Sequence, residues 1–277
     1  MKMLLLFSAL LFTTSTRGLS EQVLPTGALA VPVLITLGNG ETASGFYLNC
    51  SNHLFLGTAR HVLFDQNRKL KSAEAKLLSM AYVPGEDDLQ MTVNLGILEA
   101  SKQVRAHPVH DVAIVRLGRK DAATGFDFDT RVIKVVSRPK SVFAVNDLNM
   151  MRRLATVTVG EEVIVFGYPT SIGLQQSPKF DYSKPLLRKG MVSGIYKGAQ
   201  TIILDSSVYF GNSGGPVMEV TRTPALTDFK IIGIVSEIIP FVDVWENKRF
   251  NYTTANLSNS GYSIVEPVDF LLELTWD

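Results

Sequence analysis

Eight short segments rich in valine, isoleucine and aromatic residues recur along this chain. They are VPVLITL (31–37), SGFYLN (44–49), HLFLGTA (53–59), DVAIVRL (111–117), RVIKVVS (131–137), EVIVFGY (162–168), TIILDSSV (201–208) and KIIGIVS (230–236). Glycine, proline, asparagine or serine stands between most of them. Short β-forming runs with such punctuation read as an antiparallel sandwich or barrel, not as strands alternating with helices. Two segments carry a helical pattern. RKLKSAEAKLLSM (68–80) has helix formers and no clear cap, so its state is left open. VEPVDFLLELTW (265–276) is stronger: Pro267 suits a first helical position, and Val268, Leu271, Leu272 and Thr275 share one face. It reads as a closing helix packed on the last barrel. Composition turns polar and weakly periodic between residues 119 and 155, where a two-lobed chain can hinge. The expected organisation is one β module over 24–140 and a second, with the closing helix, over 141–277. With 277 residues, 46% of them hydrophobic, each half has apolar side chains enough for its own core.

The formal net charge is +1 and no run of like charges occurs, so nothing calls for nucleic acid or an anionic membrane as partner. The first residues, MKMLLLFSALLFTTSTRG, place Lys2 before a short apolar run, Leu4 to Phe12, with the small residues Thr16 and Gly18 after it. That is the layout of a cleaved secretory signal, expected over residues 1–18. The run is shorter than the roughly 20 apolar residues a spanning helix needs, so the mature chain is expected to be secreted or periplasmic without a membrane anchor. Cys50 is the single cysteine; the exported fold must hold without an internal disulfide. N-x-S/T sequons begin at Asn49, Asn251 and Asn256 and matter only where the source glycosylates. There is no H-E-x-x-H and no cluster of cysteine or histidine ligands, and neither metal nor cofactor is expected.

The stretch YFGNSGGPV (209–217) sets four small residues between an aromatic pair and a proline. It is either a tight turn between strands or a turn that presents the Ser213 hydroxyl beside backbone N–H groups. A serine hydroxyl attacks only with a base in reach and a third group fixing the base. The four histidines, His53, His61, His107 and His110, all precede residue 111, so the base must come from the first half. His61 follows a strand at the small residues Gly57, Thr58 and Ala59. Asp111 opens an apolar strand, where a carboxylate is costly unless paired. Each has an ordinary structural explanation alone; the order His61, Asp111, Ser213 joins them. No histidine follows Ser213, which rules out the serine–acid–histidine order of the α/β-hydrolases.

At these residues the sequence resembles the trypsin-like serine peptidases of the chymotrypsin fold, nearest the bacterial HtrA-like branch. GTARHV resembles the histidine motif, HDVAIVRL the aspartate motif and GNSGGPV the nucleophile motif. VGEEVIVFGYP, RKGMVSGI, IIGIVSE and GYSIVEPVDFLLEL add supporting matches, and together they span most of residues 45–274. The resemblance implies an all-β chain of two antiparallel six-stranded barrels with a C-terminal helix and a site in the cleft between them. It implies a serine endopeptidase in which Ser213 is the nucleophile, His61 the base and then acid, Asp111 the orienting carboxylate, and the Gly211 and Ser213 amides an oxyanion hole. The substrate would be a protein or peptide.

Asn212 stands where activatable pancreatic-type members carry an aspartate, so activation through a new N-terminus is not expected. Residues 214–277 are expected to be needed for the second barrel and helix, so no PDZ module is expected in this chain. The stretch between His61 and Asp111 is longer than in the HtrA-like branch. By the same resemblance Ser207 lies at the base of the primary specificity pocket and Ser236 to Ile238 along one wall, which implies small or medium apolar side chains before the cut bond. The competing readings are a protease-like binding protein without activity and an esterase using the same three residues. Activity is expected to rise with pH as the His61 imidazole loses its proton.

Overall fold

The structure is a computed structural model that describes residues 24, 27–121, 125–169, 178, 179, 181–222 and 227–276. The leader expected over residues 1–18 lies outside them. Among the described residues no helix is long and apolar enough to cross a membrane.

The chain forms two β lobes. The first holds β1 (Pro32–Leu37), β2 (Thr42–Cys50), β3 (His53–Thr58), β4 (Glu74–Ser79), β5 (Leu89–Asn94), β6 (Val104–Ala106), β7 (Ala113–Asp121), β8 (Gly125–Phe128), β9 (Ile133–Ser137) and β10 (Val145–Asn146). Their order is β6-β7-β3-β2-β1-β4-β5-β9, with β8 on β7 and β10 parallel to β2, so the sheet curls around one core without the six-strand closure expected of it. The second lobe is a closed barrel of β11 (Glu162–Gly167), β12 (Leu186–Tyr196), β13 (Thr201–Asp205), β16 (Tyr252–Pro267), β15 (Thr227–Asn247) and β14 (Pro216–Arg222), in that order. Short helices punctuate the strands: α1 (Arg60–Leu63), α2 (Leu95–Ala100), α3 (Asp147–Met150) and α4 (Val268–Glu273).

The near-continuous apolar runs EVIVFGY and KIIGIVS have a direct cause. Side chains alternate across a strand, and here both faces are covered. Val163 and Val165 of β11 point into the barrel core with Ile232 and Val235 of β15. Ile164, Phe166, Ile231 and Ile234 face the other way, into the core of the first lobe. Those strands therefore form the wall shared by the two lobes.

One open segment takes a definite form and one expectation changes. The segment left open at 68–80 supplies β4, whose Ala75, Leu77 and Ser79 turn inward. Pairing with β1 and β5 on either side overrides its helix propensity. The closing helix α4 forms where its pattern placed it, but Val268, Phe270 and Leu271 join the core of the first lobe, not that of the barrel beside it. Trp276, just beyond it, meets Phe55 edge-on at 5.2 Å and lies 3.6 Å under the Arg105 guanidinium.

Candidate active site

His61 sits on α1, one turn of helix that begins where the small residues ending β3 let the chain bend sharply. Asp111 lies in the link between β6 and β7. The aspartate grips the histidine twice. Its Oδ1 accepts the His61 backbone N–H at 2.9 Å, and its Oδ2 lies 2.6 Å from His61 Nδ1. An ionised carboxylate can only accept, so the proton of the neutral ring resides on Nδ1 and Nε2 keeps a free lone pair. The Arg60 backbone N–H donates to the Asp111 carbonyl at 3.1 Å, and the Arg60 guanidinium donates to the His107 carbonyl at 3.0 Å. His61 and Asp111 are thus fixed by main chain as well as side chain.

The second lobe holds Asp111 from behind. Ser236 Oγ donates to Asp111 Oδ2 at 2.7 Å. Its hydroxyl, assigned by resemblance to a pocket wall, is turned onto the carboxylate. Glu266 Oε1 accepts the Asp111 backbone N–H at 3.2 Å, while Glu266 Oε2 pairs with His110 Nδ1 at 2.9 Å. Glu266 is buried, and the His110 ring is stacked on Phe270 at 3.3 Å. Burial raises the Asp111 carboxyl pKa, but the hydrogen bonds from His61 and Ser236 outweigh it and hold the group below the usual carboxylate range.

Ser213 lies in a turn whose shape depends on two glycines in the left-handed region, Gly211 at φ 93° and Gly214 at φ 79°. A Cβ on Gly214 would come within 2.1 Å of Thr58 Oγ1, 2.2 Å of the Ser44 carbonyl and 2.9 Å of the Ala59 nitrogen. This close approach sets the turn directly against the strand end that leads into His61. Buried Ser44 locks it there. The Ser44 backbone N–H donates to the Ser213 carbonyl at 2.9 Å, and Ser44 Oγ donates to the Gly211 carbonyl at 2.6 Å while accepting from the Tyr168 N–H at 2.9 Å. Asn212 is buried; its Oδ1 accepts the Tyr209 N–H at 3.0 Å.

The amides of Asn212, Gly214 and Gly215 donate to Tyr209, Val235 and Asn212 carbonyls. Among the described residues those of Gly211 and Ser213 donate to none. Two uncommitted N–H groups beside one hydroxyl can receive a developing oxyanion. Among the described residues no hydrogen bond joins His61 to Ser213; the serine turn packs on Ser44 and on Thr58 and Ala59, just before His61. Ser207 is half-buried, and Ile238 packs against the barrel core.

Sequence reading missed Ser44 and Glu266, and singled out Thr58 only as a small residue before His61. A serine inside TASGF and a glutamate between buried valine and proline were the available signals, each a polar group in an apolar run that requires a partner. Among the described residues no group of three or more histidine, cysteine or acidic side chains could hold a metal ion.

Two β lobes that share an apolar wall, one a curled sheet and the other a closed barrel, are the architecture of the chymotrypsin-like fold class. The chain belongs to the trypsin-like peptidase family: the profile described as trypsin-like peptidase domain matches residues 43–223. Among solved structures, that of HBP at atomic resolution is 11% identical with a TM-score of 0.51, over 90% of this chain and 91% of that one. The HtrA-type protease AlgW with a tripeptide is 14% identical with a TM-score of 0.48, over 89% of this chain and 59% of that one. Deg5 is 14% identical with a TM-score of 0.48, over 89% and 88%. The chain therefore spans less than two thirds of AlgW. Comparison with curated proteins returns no match.

Proposed function

We propose that this protein is a serine endopeptidase that cleaves peptide bonds through an acyl-enzyme. The observation that carries the reading is the double hold of Asp111 on His61, with the serine turn packed on the residues just before that histidine. Ser213 Oγ adds to the carbonyl carbon of the substrate as His61 Nε2 takes its proton. The carbonyl oxygen becomes an oxyanion facing the Gly211 and Ser213 amides, each worth about 3 kcal/mol to the transition state. The imidazolium gives its proton to the leaving amine as the C–N bond breaks, leaving an ester on Ser213. Water then attacks that ester, His61 again taking the proton, and the proton returns to Ser213 Oγ as the acid departs. Asp111 stays ionised throughout and stabilises the imidazolium.

A fluorophosphonate probe tests the assignment. Labelling of the wild-type chain, lost in Ser213→Ala, with casein hydrolysed in parallel, is the expected result. Labelling that persists in Ser213→Ala would refute the nucleophile, and turnover of simple esters without casein would make the protein an esterase. Residues 1–18 serve as a cleaved export leader in this reading. A mature protein that begins at Met1 in mass spectra of the expressing cell would overturn that part.

A further inference from the structure

Strands β15 and β16 run far past the barrel. Beyond it they pair only with each other among the described residues, from Pro240 opposite Asn259 to Asn247 opposite Tyr252. The resulting two-stranded arm projects about 25 Å. Its surface is apolar on both sides. Directly opposed residues share a face, so Val242 with Leu257 and Val244 with Ala255 line one side, while Phe241, Trp245 and Tyr252 lie on the other. All but Ala255 are large apolar residues exposed to solvent. A lone hairpin is marginal in water, and one with apolar residues on both faces cannot bury them by lying down on the barrel.

The open edge of β15 says what covers it. Up to Ile234 that edge is paired with β14. The last bonds are Val235 N–H to the Gly215 carbonyl at 2.9 Å and Gly214 N–H to the Val235 carbonyl at 2.7 Å. The chain then leaves the lane through Ser213. From Ser236, whose hydroxyl holds Asp111, no strand among the described residues pairs with this edge, and Ser213 stands at the head of the vacated lane. A polypeptide whose carbonyl meets Ser213 can lie in that lane in the direction of β14, antiparallel to β15. Its residues before the scissile bond then run out past Ile238 and onto the arm.

We infer that the arm is a docking rail for substrate: an extended polypeptide pairs with the outer edge of β15, and apolar residues well upstream of the cut bond cover the exposed side chains of the arm. The occupant is an unfolded or locally extended protein segment. Pro240 lacks an N–H and sits at a register shift between Ile238 and Pro240, so the rail has a break between a short stretch beside the nucleophile and a longer one on the arm. This inference rests on the endopeptidase reading above and adds to it a requirement for long, apolar substrates.

The experiment measures kcat/KM for peptides that share one cleavage site and carry two, four, six or eight residues before it. For the wild-type chain kcat/KM rises by about tenfold from four to eight when the added residues are apolar, mostly through KM. Trimming 241–258 to an Asn-Gly turn abolishes that rise and leaves probe labelling and short-peptide turnover unchanged. Phe241→Ala with Trp245→Ala, which alters exposed side chains only, raises KM for the eight-residue peptide alone. A wild-type profile flat beyond four residues, in protein that the probe labels, overturns the rail. So does a concentration-dependent dimer that trimming abolishes while the length profile stays flat. If the probe does not label the wild-type chain, the catalytic reading falls instead. Equal affinity of the intact and trimmed proteins for the eight-residue peptide, measured by calorimetry, then refutes the rail separately.

Discussion

Asp111 is a carboxylate fixed from two lobes at once. The His61 amide and ring hold it from the first lobe, and Ser236 and Glu266 from the second. The net effect of burial and these bonds is a native carboxyl pKa below the ordinary value. A depressed native pKa contributes stability that is fully present above the unfolded-state value, near pH 4, and is lost as pH falls below it through the native value. Asp111→Asn removes that contribution, so its unfolding free energy falls less steeply than that of the wild type below about pH 4; urea unfolding over a pH series measures the difference. Glu266 makes a second case. Glu266→Ala leaves the half-buried Asp111 N–H without its acceptor, a loss of about 1 kcal/mol, and lowers kcat with little change in KM. Glu266→Gln keeps an acceptor oxygen and retains most of kcat. A folded Glu266→Ala protein with wild-type kcat would show that Glu266 serves the fold and not the site. Asp111 and His61 were legible in the sequence because their motifs are local. Glu266 was not, because its partner lies in the other half of the chain and only the closed barrel brings β16 to it.

Strand β2 does for the serine turn what Glu266 does for the aspartate. Its Ser44 meets Gly211, Ser213 and Tyr168 in a buried place, and its carbonyl accepts from Thr58 Oγ1 at 2.8 Å. Ser44→Ala leaves both the Gly211 carbonyl and the Tyr168 N–H unsatisfied, at a cost of about 2–4 kcal/mol read by denaturant unfolding. Gly214→Ala acts more severely on function. Its φ of 79° and the 2.1 Å approach to Thr58 Oγ1 force the turn away from β3, so probe labelling at Ser213 falls by orders of magnitude. Retained labelling in that variant would mean the turn does not depend on this approach. Elements were legible to different degrees for the same kind of reason. The apolar strands β1, β2, β3, β7, β9, β11, β13 and the start of β15 announced themselves by composition. β4 carries Glu74 and Lys76 on its outer face and reads as helix-forming until its neighbours are known. The far half of β15 and most of β16 were missed because alternation there has no core to answer to: apolar residues occur on both faces of the arm.

With Cys50 as the single cysteine the molecule has no internal disulfide, so the lobes depend on the shared wall and on the C-terminal segment that straps them. β16 leaves the barrel at Pro267, α4 enters the core of the first lobe, and Trp276 ends between Phe55 and Arg105. Along that path Phe270 stacks on His110, His110 pairs with Glu266, and Glu266 takes the Asp111 amide. The strap therefore touches the candidate site through one continuous run of contacts. Trp276→Ala cuts only the far end and costs about 2–3 kcal/mol of stability with kcat unchanged, since a ring half-buried in the native state gives up less than a fully buried one. Phe270→Ala cuts the run itself. It costs about 3–4 kcal/mol by loss of buried ring and, in addition, lowers kcat in the folded population by leaving the His110 ring free to turn away from Glu266. Stability and single-turnover rate measured on the same two variants separate the roles. Equal catalytic loss from both, or none from Phe270→Ala, would reduce the strap to a plain stabilising element and break the proposed link between the chain terminus and Asp111.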